Sequence, residues 1–364
     1  MKTLKNYLNQ EWFSVFLLAL VIITFILVVG NIVKLVELVI TKGIKPSIVL
    51  KLFIYLMPKL LIYSIPISIL TSTLITIGRL SYDNEITAIR SSGISLFPIL
   101  FNLLLIGLLF ALICLYFNDS LIPRANYASR KILQQIGEKR PTAYLEEKTF
   151  IKAFKDCIIF IYKIKDNYLE DVRIYQPQTD KPTRTIIAET GEFIFIPEKN
   201  EVKLMLRSGT ADEPSFEDPQ NFYKLNFSNY QITLNLKEHQ NFEALEKKVA
   251  DMTLSELQVE IEVMKIMGVD YRPLIIGLYR KVSLAFSSIV FMFIAMPLAI
   301  RIRQREKSLS VALSLIICLL YYLVLATGEG LALQNKLPPF WGVWMANIVF
   351  LTLGIILAAK VLQE

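Results

Sequence analysis

Six stretches of this chain are too long and too oily to be anything but helices that cross a membrane. They run at about Trp12–Val39, Ile48–Ile77, Ile94–Phe117, Val282–Ile300, Leu309–Leu333 and Phe340–Ala359. About 18 nearly uncharged residues in a row are enough to span a bilayer. In lipid a backbone must satisfy its own N–H and C=O groups, which leaves the helix as the only local solution for such a run. Pro58 and Pro66 lie inside the second stretch and predict a bent helix there. The first stretch follows Lys2 and Lys5 like a signal sequence, but it is longer than a signal core and no small-x-small cleavage site follows it. It is expected to be a retained span.

The short loops set an orientation. With the N-terminus inside, the inner pieces hold Lys2, Lys5, Arg79, Arg90, Arg301, Arg303, Arg305, Lys307 and Lys360, against Lys42, Lys45, Lys51 and Lys336 outside. Basic residues favour the cytoplasmic side, so both termini are expected there. The segment "RIRQREK", Arg301–Lys307, contributes most to this bias.

The long polar segment between the third and fourth spans is then external. Its centre reads as short strands rich in β-branched and aromatic residues: "TFIKAF", "CIIFIYKI", "DVRIYQ", "RTIIAETGEFIFIP", "EVKLMLRSGT" and "FYKLNFSNYQITLNL". Turn signals separate them at Asp166-Asn167, Gln176–Pro182, Pro197–Asn200 and Asp212–Pro219. Strands spaced this way suggest a sandwich, a jelly roll or an open barrel. Helices are expected on either side, at about Arg124–Ile136 and Leu254–Met267. The second has a possible Thr253 cap and Leu254, Leu257, Ile261 and Met264 on one face. The expected fold class is a membrane α-helical protein of six spans, three plus three, with an inserted all-β jellyroll-like domain. Its boundaries are 1–117, 118–270 and 271–364.

Several chemistries find no support. No G-x-x-x-x-G-K-[ST], HExxH or GxSxG occurs, so the chain is not expected to be an enzyme or to need a cofactor. The one histidine, His239, makes histidine-based metal or triad chemistry improbable, and Cys114, Cys157 and Cys318 offer no CxxC pair. The net charge of +7 is spread along the chain, which suits anionic lipid rather than nucleic acid. Glu189, Glu192, Glu201, Asp212, Glu213 and Glu217 read as solvated surface charge.

The polar features near the spans are more informative. In "GRLSYDNEITAIRSSGIS", Gly78–Ser95, a short amphipathic helix is expected between spans two and three. Asp83 can cap it, Glu85, Ala88, Ile89 and Ser92 share a face, and Gly93 can stop it. It could lie on the bilayer surface, or it could present that face and its charged handle to a cytoplasmic partner. Lys34 lies about 22 residues after Trp12, roughly 33 Å along a helix at ~1.5 Å per residue. That places it near the outer boundary, as an anchor or as a cation for an anionic lipid headgroup, together with Lys42. Arg280 and Lys281 stand at the outer end of span four, either for lipid phosphate or for internal pairs. Lys59, inside span two, should face protein or a cavity. Glu329, near the outer end of span five, is an intramembrane carboxylate and so a functional candidate, with pairing to Lys336 the favoured alternative.

The loop "GRLSYDNEITAIRSSGIS" resembles that between spans two and three of the LptF/LptG permeases, the YjgP/YjgQ family of lipopolysaccharide export. "MPKLLIYSIPISILTSTLITIGRL", "YRKVSLAFSSIVFMFIAMPLAI" and "LPPFWGVWMANIVF" extend the resemblance over essentially the whole chain. It implies an ABC-transporter permease subunit in the bacterial inner membrane, paired with its LptF or LptG counterpart. The expected partners are a cytoplasmic LptB-like ATPase dimer, LptC-like and LptA-like bridge proteins, and lipopolysaccharide. Asp83–Ser92 would be the coupling helix, with Asp83, Glu85, Ala88, Ile89, Arg90 and Ser92 toward the ATPase. Lys34 would be a cavity-mouth lysine, with Lys42, Lys59, Arg280 and Lys281 as further lipid-binding cations. Phe160, Ile174, Phe193 and Phe195 would line the jellyroll. The rival classes are an ABC-type mechanotransmission protein, a membrane sensor or scaffold with a ligand-binding β-domain, and a secondary transporter.

Overall fold

The computed structural model describes residues 2–40, 44–93, 97–139, 150–151, 157–165, 168–176, 183–196, 201–214, 222–234, 247–302 and 307–363. The chain forms two compact units. One holds Met1–Leu35, Phe53–Tyr127 and Lys247–Glu364, and the other Val36–Leu52 and Ala128–Glu246.

The first unit is helical. Its long helices are α1 (Lys2–Ile40), α2 (Pro46–Tyr82), α4 (Phe97–Tyr116), α7 (Arg272–Ile302), α8 (Lys307–Leu333) and α9 (Pro339–Gln363), with the short α3 (Glu85–Ser91) after α2. Six segments in these helices and in α5 (Ile122–Lys139), which follows α4, are long and apolar enough to cross a membrane, as expected. α2 continues through both prolines and is the central helix. Ser64, Ser68, Thr71, Ser72, Thr73 and Thr76 are all buried along it. Small hydroxyl residues let neighbouring helices approach closely and return their own hydrogens to the backbone. Ser68 donates to Ser64 O at 2.6 Å, and Thr71 to Ile67 O at 2.8 Å. α7 shares this core through Ser283, Ser287, Ser288, Phe291 and Met292.

α1 is fastened differently. Leu8, Trp12, Phe16 and Ala19 are buried, one stripe at helical spacing, and beyond Ala19 no described residue of α1 is. Trp12 stacks on Phe16 with ring centroids 5.1 Å apart, and its indole N–H reaches Thr73 Oγ1 at 3.0 Å. Asn102 on α4 adds a bond to Asn9 at 2.7 Å. The exposed remainder of α1 is almost wholly apolar, which suits lipid or another span rather than water.

The span after α3 does not simply end. α4 passes into one π turn, Phe117–Leu121, and continues as α5. The wide turn redirects Asn118 and Asp119 toward the returning chain. There α6 (Leu254–Met267) starts as predicted: Thr253 accepts from Glu256 N and Glu256 returns to Thr253 N. The predicted face carries Leu257, which is fully buried.

The second unit contains a six-stranded antiparallel sheet in sequential order: β1 (Phe150–Ile151), β2 (Ile158–Lys165), β3 (Tyr168–Gln176), β4 (Arg184–Ile196), β5 (Glu201–Pro214) and β6 (Phe222–Leu234). The strands fall where the alternation put them, except that β5 runs on through Asp212–Pro214, part of a predicted turn. The other turn segments lie outside the described residues. One feature escapes a simple period of two. Residues 162 and 163, 189 and 190, 207 and 208, and 228 and 229 are consecutive exposed pairs, each aligned across the sheet. In the same row Asp171 and Ser208 take positive φ, both 51°. The pleat inverts along this row, so one face stays inward on both sides of it. Ile159, Ile174, Ile186, Leu169 and Leu204 therefore join a single apolar cluster. Gly209 sits beside the row because a Cβ there would lie 2.4 Å from Ile187 O and 2.5 Å from the Phe227 ring.

Candidate functional site

α3 starts from a break after α2. Asn84 adopts left-handed backbone with φ 59°, and its side chain caps nothing. The Asp83 cap expected from sequence is absent. The Asp83 carboxylate accepts instead from Arg79 Nη1 at 3.2 Å, one helical turn back on α2. Gly93 does stop the helix, with φ 75° and its N–H on Arg90 O at 2.9 Å.

Arg79 is the centre of this end of the bundle. Its guanidinium grips the Glu11 carboxylate with two bonds, Nε to Oε1 at 2.5 Å and Nη2 to Oε2 at 2.6 Å. Nη2 also donates to Tyr7 Oη at 2.8 Å, and Nη1 lies 3.5 Å from Glu85 Oε1. The planar fork suits such bidentate recognition. Three carboxylates share one guanidinium, so the cluster holds an excess of negative charge. In the sequence Arg79 stands out only as one basic charge of a short inner loop. Its i,i+4 spacing to Asp83 and the lone acid Glu11 at the start of an apolar run were the signals.

The other α3 residues divide by burial. Ile86, not singled out from sequence, is buried and roots the helix, with half-buried Ile89 beside it. Arg90 donates to Val361 O on α9 at 2.9 Å, and nearby Ser81 donates to Ile300 O on α7 at 2.9 Å. Ala88 and Ser92 are exposed, while Glu85 is half-buried. The expected face is thus split: small residues point outward and Glu85 leans on Arg79. The start of α1 and the ends of α2, α7 and α9 all meet around this short helix.

The cations expected to hold lipid are placed unevenly. Lys281 is buried, and its ammonium is spent on Asn118 O at 3.2 Å and on Met252 O. Asn118 Nδ2 returns to Lys281 O at 3.0 Å, and Asp119 accepts from Leu254 N at 2.7 Å. Arg280 pairs with Glu329 at 3.3 Å. Both cations thus take the internal alternative, and the Glu329–Lys336 pairing expected from sequence is replaced by Glu329–Arg280, one helix to the next. Lys59 is exposed, which corrects the expectation that it faces protein within this chain. Lys34 lies on α1, and Lys42 lies outside the described residues. In the sheet, Ile174 is fully buried, but Phe160 pairs with Arg173 and alternates with buried Ile159 and Ile161, so it belongs to the other face. Phe193 and Phe195 stand in register with Leu204 and Val202, and their side chains lie outside the described residues. Among the described residues no cluster of His, Cys, Asp and Glu could hold a metal.

A family model described as the lipopolysaccharide export system permease LptF/LptG matches residues 6–360. The chain belongs to this family. An uncharacterized protein of Rickettsia prowazekii is 25% identical over 177 residues, 47% of this chain and 49% of that protein. The match therefore spans about half the length of that relative. The lipopolysaccharide export system permease protein LptF of Escherichia coli K12 is 21% identical over 355 residues, 97% of this chain and 93% of that protein. The LptF of Shigella flexneri gives the same figures. Membership and six apolar helices make the chain a multi-pass inner-membrane permease subunit, not itself an enzyme.

Proposed function

We propose that this chain is one of two paired permeases that extract lipopolysaccharide from the inner membrane and pass it to a periplasmic β-jellyroll bridge. A separate cytoplasmic ATPase drives the step, and α3 is the helix that receives its motion. In this reading residues 1–117 and 271–364 form the membrane part, and 118–270 form the periplasmic domain with its flanking helices. Both termini are cytoplasmic. The lipid passes along the inward face of this chain's sheet, to which Ile174 contributes, and on to bridge proteins of the LptC and LptA kind.

The observation that carries this reading is the setting of α3. A seven-residue helix with an outward face of small residues sits where four long helices begin or end, linked through Arg79 to α1 and α2 and by Arg90 to α9. Such a helix can be gripped from outside and cannot move without moving its neighbours. The excess carboxylate around Arg79 suits a basic contact on the partner. Asp83, Glu85, Ala88, Ile89, Arg90 and Ser92 remain the proposed coupling set, with Ile86 and Ile89 as its root. Lys34, Lys42 and Lys59 remain proposed lipid contacts. Arg280 and Lys281 pass to a structural role, because their internal partners leave little charge to offer.

The test is charge reversal. Glu85→Lys is expected to insert normally while ATPase association and lipid release fall about tenfold, the size of a typical coupling energy. Intact association and release in that variant exclude α3 as the coupling helix.

A further inference from the structure

We infer that Arg79 is a positioning residue that links α3 to α1, so that displacement of the coupling helix is passed to the first span as well as to the two spans it joins by chain. The inference rests on the coupling reading of α3 and adds a route that the covalent order does not contain.

Geometry supplies the argument. Arg79 is on α2, yet its tightest partners are on α1, with Glu11 held at 2.5 and 2.6 Å and Tyr7 at 2.8 Å. Its remaining amino group, Nη1, serves Asp83 at 3.2 Å and Glu85 at 3.5 Å. A guanidinium is a rigid plane, so its two ends cannot move independently. Any movement of Glu85 toward an outside cation unloads Nη1 and alters the plane that fixes Glu11. α1 is built to respond. Its buried stripe ends at Ala19, and from there to Ile40 no described residue is buried. A helix of 39 residues is about 58 Å long at ~1.5 Å per residue, and among the described residues its last polar tie to another helix is Thr24 Oγ1 donating to Ser64 Oγ at 3.0 Å. A small tilt at Glu11 therefore becomes a larger displacement near Lys34, about 34 Å further along by the same rise.

The test uses the full complex in vesicles containing lipopolysaccharide. Cys114, Cys157 and Cys318 are first replaced by alanine, and spin labels are placed at Ile26→Cys on α1 and Leu319→Cys on α8, both exposed positions. The distance between labels is read without nucleotide and with ATP plus vanadate. The expected result is a nucleotide-dependent shift that Glu11→Gln and Arg79→Lys each abolish. In both variants the ATPase stays bound and lipid released per ATP falls about tenfold. A loss of fold alone would lower ATPase association and lipid release together. If Glu11→Gln does not insert, Arg79→Lys decides, since it keeps the charge and removes only the fork. A normal shift in these variants overturns the inference. So does a wild-type complex that shows no shift while Glu85→Lys still uncouples it. If Glu85→Lys itself changes nothing, the coupling reading falls first and takes the link with it.

Discussion

At the scale of single residues, the membrane forces polar groups to find each other. Arg79 and Glu11 stand at the edges of two apolar helices, and each solves the other's solvation problem. Arg280 and Glu329 repeat this at the other end of α7. The sequence exposed these groups as candidates because a charge beside an oily run is conspicuous, but it left their partners open. Glu329 was matched with the lysine nearest in sequence and chose an arginine on another helix. Asp83 read as a cap because an acid before a helix usually is one, and an arginine one turn upstream outbid the backbone. Gly209 makes a sharper case. Alanine there would bring its Cβ against Ile187 O and the Phe227 ring. The expected cost is about 1–3 kcal/mol, as for an overpacked core. Faster hydrogen–deuterium exchange in β4, β5 and β6 of Gly209→Ala checks it, and exchange like wild type contradicts it.

At the scale of elements, periodicity and capping were legible and long-range adjustments were not. All six spans, the major strands and the Thr253 start of α6 follow from local pattern. The π turn after α4 does not, because it is imposed by what Asn118 and Asp119 reach across the fold. The inverted pleat is similar: β2, β4, β5 and β6 each show a pair of adjacent exposed residues, and the meaning appears only when those pairs align across the sheet. α6 carries a pH signature of its own. The Lys247 ammonium, helped by the Thr253 backbone N–H, holds the Glu256 carboxyl below its usual range. Its contribution is present above the ordinary carboxylate pKa of about 4.3 and is lost as pH falls through the lowered value. Thermal unfolding of Glu256→Gln is therefore expected to lie below wild type at neutral pH, with the gap closing on acidification. A gap that widens as pH falls contradicts the assignment. Glu256 is partly exposed, so the gap is small.

At the scale of the molecule, the geometry gathers several helices at one end of the bundle. The beginning of α1 and the finish of α9 lie together around α3, as Glu11–Arg79 and Arg90–Val361 require. In the proposed reading the permease takes its energy from a partner ATPase, and α3 is the element that receives it. The central claim is thus about company: an ATPase, a second permease and a glycolipid. The direct measurement is purification of the tagged chain from its native membranes in several mild detergents, with mass spectrometry of whatever accompanies it. The account predicts a P-loop ATPase, a second six-span homologue and bound lipid A. Intact protein recovered with neither ATPase nor glycolipid contradicts it and favours a sensor or scaffold.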